Sequence, residues 1–107
     1  MNPTAKANAK AELLRNVDTA LSYGISANTT QEQLEELAVQ LAKQKHGDQW
    51  QQKLAGMIWY VNSLYDAMAL DTQEYFKRLY RSALTQVSEA DEEFFDEIED
   101  LKKSVNS

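Results

Sequence analysis

Apolar residues recur along the chain at intervals of three and four, and no stretch shows the strict alternation of a half-buried strand. The pattern therefore predicts helices throughout. It is densest between Asp48 and Leu70. There Trp50, Leu54, Met57, Val61, Leu64, Tyr65 and Met68 fall on one stripe of a helical wheel, while Trp59 points almost the other way with Asn62 and Asp66. A helix with apolar groups on two opposite sides needs cover on both, from its own neighbours or from a second copy of the chain. This predicts a central third helix.

The remaining helices follow from their apolar faces and end signals. Helix 1 is expected from about Pro3 to Tyr23, with Leu13, Leu14, Val17 and Leu21 as its apolar side, Gly24 as a left-handed stop and Ile25 folding back on the last turn. Thr30 opens helix 2 with Gln33 as its capping-box partner, Leu34, Leu37, Ala38 and Leu41 form the face, and Gly47 closes it. Asp48 is read as the cap of helix 3 after almost no loop, which favours an antiparallel pair. Asp71 with Glu74 repeats the capping signature and starts helix 4, carrying Tyr75, Phe76, Leu79, Tyr80, Ala83, Leu84 and Val87.

Ser88 either caps a fifth helix or interrupts a long fourth one. Beyond it Phe94, Ile98, Leu101 and Val105 form a narrow seam with Phe95 beside it. The expected fold is all-α, a compact antiparallel bundle of four to five helices. Residues 1–87 form its core, and residues 88–107 form an acidic C-terminal helix, either in the same domain or loosely docked and separable.

Composition narrows the function. At 107 residues the chain fits one domain. The absence of cysteine excludes disulfides, thiolate metal sites and cysteine nucleophiles. Met1-Asn2-Pro3-Thr4-Ala5-Lys6 lacks the apolar core of a secretory signal and no stretch approaches a membrane span, so the expected location is cytoplasmic and no membrane partner is expected. The net charge of -6 is unevenly placed: residues 1–87 hold nine acids and nine bases, whereas residues 88–107 hold eight acids against Lys102 and Lys103. Without a basic stripe for phosphate contacts, direct nucleic-acid binding is disfavoured, while a basic partner fits.

Few side chains suggest chemistry. His46 is the only histidine and stands with Lys43 and Lys45 in the last turn of helix 2, where positive charge complements the helix dipole; alone it supports neither a zinc site nor a catalytic triad. The aromatic set of Trp50, Trp59, Tyr60, Tyr65, Tyr75, Phe76 and Tyr80 reads as core in the absence of a basic groove. Glu32, Glu35 and Glu36 project opposite the leucine stripe of helix 2 and are the candidate metal ligands, of the kind a Mg2+ site uses when phosphates supply the other oxygens; a solvated polar face is the plainer reading.

Helix 2 with its Glu35-Glu36 pair, and the run Lys-Leu-Ala-Gly-Met-Ile-Trp-Tyr-Val-Asn-Ser-Leu-Tyr-Asp-Ala-Met-Ala-Leu-Asp-Thr-Gln-Glu from Lys53, resemble the corresponding helices of the MazG-like all-α nucleoside triphosphate pyrophosphohydrolases over residues 32 to about 84. That resemblance implies Mg2+-dependent hydrolysis of a nucleotide α-β phosphate bond. Glu35 and Glu36 match the first two family acids, the third falls on Val39, and the Glu and Asp of the second motif fall on Lys53 and Gly56. A cation and a glycine at carboxylate positions weigh against metal chemistry. Gly56 with Ser63 and Ala67 is read instead as a small-residue strip admitting a close helix neighbour.

The first expectation is a non-catalytic interaction module, such as a regulator, inhibitor or immunity-type protein. It would act on a protein partner, self-associate as a homo-oligomer and use no cofactor. Its contact residues would be Trp59, Asn62 and Asp66 on helix 3 and Phe94, Phe95, Ile98 and Leu101 on the last helix. The alternatives are a Mg2+-dependent pyrophosphohydrolase and an acidic mimic of nucleic acid that blocks a DNA- or RNA-binding protein.

Overall fold

In the computed structural model, which describes residues 3–79 and 87–106, the described residues form five α-helices: α1 (Pro3–Ser22), α2 (Gln31–His46), α3 (Trp50–Ala69), α4 (Thr72–Leu79) and α5 (Glu89–Asn106). No strand occurs among the described residues, and the fold is an all-α bundle. Tyr80, Ala83 and Leu84, expected on helix 4, lie outside the described residues.

Local signals set most helix ends. Gly24 has φ 74°, and the amides of Gly24 and Ile25 donate to the carbonyls of Leu21 and Ala20 at 3.1 and 2.9 Å, closing α1 in a Schellman motif with Ile25 buried behind it. Thr30 and Gln33 form the reciprocal capping box of α2. Asp71 caps α4 by accepting from the Glu74 amide at 2.9 Å. Residues 87 and 88 are not helical, and Ser88 caps α5: its amide donates to Asp91 Oδ2 at 3.1 Å while its hydroxyl accepts from the Asp91 amide at 3.4 Å.

Asp48 does not cap α3. Gly47, with φ 53°, leads into one 3-10 turn over Gly47–Gln49, and α3 begins without a side-chain cap. The chain reverses within this single turn, and α2 and α3 make the most extensive contact among the described helices. The adjoining α1 packs on α3, and α4 and α5 close against α1.

The core holds Leu13 and Val17 of α1, Leu34 and Leu41 of α2, Met57, Val61, Leu64 and Met68 of α3, Tyr75 and Phe76 of α4, and Phe95 and Ile98 of α5. Two faces are turned from the sequence expectation. In α1, Ala9 and Ala20 are buried and Leu14 is exposed, because alanines allow close backbone approach. In α5 the buried line is Asp91, Phe95, Ile98 and Lys102, rotated by about 60° from the expected seam at 100° per residue, which leaves Leu101 and Val105 exposed. The rotation follows from polar anchors. Asp91 pairs with Lys6 and Lys10, and Lys102 donates to the Leu70 carbonyl at 2.9 Å. Glu99 accepts the Thr72 amide, and Asn106 Oδ1 accepts the Ala27 amide at 2.8 Å.

The molecule measures 48 × 32 × 17 Å. A helix with side chains is about 10–12 Å across, so the slab is too thin to cover a central helix all round. No helix of the described residues is long and apolar enough to cross a membrane.

Candidate functional site

The outward side of α3 carries the most exposed large apolar group in the described molecule, Trp59, at 73% exposure. The helix itself explains its direction. Met57, Val61, Leu64 and Met68 set the buried stripe, and at 100° per residue Trp59 falls outside it. Trp59 borders a groove of about 330 Å³ between α1, α3 and α4. Glu12 and Asn16 of α1, Asp66 of α3, and Tyr75 and Arg78 of α4 share its walls.

The groove floor is ordered by one hydrogen bond across the bundle, from the Asn16 side-chain amide to the Tyr75 hydroxyl oxygen at 2.9 Å. Burial raises the Tyr75 hydroxyl above its usual range; the Asn16 bond opposes this, and the negative charges of Glu12 and Asp66 add to the rise. Tyr75 is therefore a neutral phenol, and both carboxylates act on the same spot. Arg78, on the open side, lies 3.9 Å from Glu74 in an exposed pair.

Trp59 and Asp66 both line this groove, but Asn62 is not part of its wall: its side-chain amide donates to the Ile58 carbonyl at 2.9 Å within its own helix. On α5, Phe95 and Ile98 are buried in the chain's own core. Phe94 is half-buried with the Lys10 ammonium 5.6 Å from its ring centre, and Leu101 is the one expected contact residue of that helix on the surface. A partner meeting α5 from outside would touch Leu101 and Val105, not Phe95 and Ile98.

Glu32, Glu35 and Glu36 are exposed and line a shallow surface groove with Val39 and Gln40. Lys53 and Gly56 line a different one, with Lys45, His46 and Tyr60. Among the described residues no three His, Asp or Glu side chains converge in an arrangement that can hold a metal ion. Gly56 does not serve close helix packing either, since a Cβ added there would meet nothing within 4 Å.

Sequence reasoning passed over Glu12, Asn16 and the Tyr75 hydroxyl, which are spread over 64 residues of chain and meet only through packing. It also passed over Asp91, although Ser88 followed three residues later by an acid is a local cue. No protein-family model matches the chain, and comparison with curated proteins and with solved structures likewise finds no similar protein.

Proposed function

We propose that this protein acts by binding a protein partner rather than by chemistry, as a cytoplasmic regulator or inhibitor. The observation that carries this reading is Trp59: a large aromatic 73% exposed on the most apolar helix, beside a groove walled by three helices. Exposed aromatics next to a recess are what interfaces use as anchors, because their burial is worth much and their ordering costs little. Affinity capture with wild-type and Trp59→Asp baits tests it: a partner held by the first and lost by the second, with the helical circular dichroism of both unchanged, is expected. A partner retained equally by both baits would count against the Trp59 face. Self-association through the same face is the competing form of this reading, and light scattering at high micromolar concentration distinguishes it.

The MazG-like resemblance supports a second reading, a Mg2+-dependent nucleotide pyrophosphohydrolase. The observation in its favour is that Glu32, Glu35 and Glu36 share one groove on α2. Release of pyrophosphate from nucleoside triphosphates by the unmodified chain with Mg2+ or Mn2+ would establish it in place of the first.

A further inference from the structure

We propose that the groove beside Trp59 receives an arginine side chain of the protein partner; the inference rests on the interaction reading and names the chemistry of its contact. Two carboxylate residues from different helices, Glu12 of α1 and Asp66 of α3, line the groove together with Trp59, Tyr60 and Tyr75. Both are half-buried, and neither has an ion-pair partner among the described residues. The negative charge of each adds to the rise of the Tyr75 hydroxyl on the same wall. Two carboxylates in a recess with low-dielectric walls raise the local negative potential and draw a counter-charge.

The shape of that counter-charge follows from the walls. A guanidinium is planar and weakly hydrated; its face stacks on indole and phenol rings while its edges donate to carboxylates in a fork. An ammonium offers a point charge without a face. Tyr75 accepts from Asn16 and, as a neutral phenol, adds no charge to the groove. Among the described residues lining the groove Arg78 is the one positive group, and it is exposed and lies 3.9 Å from Glu74. At about 330 Å³ the groove lies at the small end of the about 300–1,000 Å³ typical of ligand sites, a size for one side chain rather than a whole nucleotide cofactor.

The test uses the 15N-labelled full chain titrated with the pentapeptide acetyl-Gly-Ala-Arg-Ala-Gly-amide, with its citrulline counterpart, and with arginine amide, following the Trp59 indole N–H and the Asn16 side-chain amide. Saturable shifts of both signals with the arginine peptide are expected, with citrulline at least about ten-fold weaker because it keeps the shape and loses the charge. Glu12→Gln with Asp66→Asn should weaken binding at least about ten-fold, whereas Glu93→Gln with Glu97→Gln, an equal charge change on the outer face of α5, should weaken it less than about two-fold. These exchanges are isosteric, and unchanged circular dichroism confirms the fold.

Equal loss in the two double variants, or equal binding of citrulline, would reduce the effect to general attraction by an acidic protein and overturn the proposal. Arginine amide binding as tightly as the peptide would make this a small-molecule site and overturn the partner-borne source. If the Trp59 signal shifts on dilution of the chain alone, a second copy occupies the groove; the arginine proposal then falls while the interaction reading stands. Absence of peptide binding beside Trp59-dependent capture of a partner has the same meaning.

Discussion

Asp91 and Lys102 are buried charges near opposite ends of α5, and they act by different physics. Burial works to raise the Asp91 carboxyl, but the Lys10 and Lys6 ammonium groups, with the Ser88 amide and hydroxyl, outweigh it and hold the group well below the usual carboxylate range. A carboxyl depressed in the fold stabilises fully above its ordinary value of 3.8, and that stabilisation is lost as pH falls from there toward the folded-state value. Asp91→Asn should therefore cost about 2 kcal/mol near neutral pH, and its melting difference from wild type should narrow below about pH 3.5. Thermal melts at the two pH values check this; a difference independent of pH would assign the effect to capping alone.

Lys102 is the reverse case. Burial lowers its ammonium below the usual 10.5, with Glu99 and Asp71 opposing, so the charge costs stability below the folded-state value and the cost fades as pH rises toward 10.5. Lys102→Met removes that cost and leaves the Leu70 carbonyl without its donor. The two effects should offset to within about 1 kcal/mol in denaturant unfolding.

At the scale of elements, α5 joins the bundle through Phe95, whose ring lies 5.3 Å from that of Phe76, and through Ile98. Phe95→Ala should cost about 3–5 kcal/mol. Hydrogen exchange of that variant locates the loss. Faster exchange confined to residues 90–104 would make α5 a separable unit, as its acidic composition predicts, whereas equal acceleration in α2 and α3 would make it part of one cooperative core. The α2–α3 pair carries the metal question. With Glu35 and Glu36 in one groove and Lys53 and Gly56 in another, Mg2+ should shift the melting temperature by less than about 2 °C, since a ligand stabilises only as its concentration exceeds its dissociation constant. A larger shift would revive the MazG-like reading.

Across the whole molecule, charge and shape are segregated. The outer face of α5 sets Glu89 against Glu93, Glu92 against Asp96, Glu93 against Glu97 and Asp96 against Asp100, all exposed and one helical turn apart. Each such like-charge pair costs about 0.2–0.5 kcal/mol, whereas the Asp91 pairs are partly buried and less screened. Raising salt from about 10 to 150 mM should therefore increase the melting temperature by about 2–4 °C. A decrease would mean that attractive pairs dominate the surface.

Helix class, the capped starts of α2 and α4 and the Schellman end of α1 were all legible in the chain, because period, caps and glycine stops act over a few residues and need no distant partner. The direction of Trp59, away from Met57, Val61, Leu64 and Met68, also followed from the wheel, whereas its exposure is a result of the packing. What packing alone decided was the rotation of α5. Whether Phe94 or Phe95 faces inward depends on where Lys6, Lys10 and the Leu70 carbonyl stand, and those lie far from α5 in sequence. The groove is the same kind of result. Glu12, Asp66 and Tyr75 carry no shared local signal, and only the packing of α1 and α4 against α3 sets two carboxylates beside a neutral phenol, because the energy that joins them comes from apolar burial elsewhere on the same helices.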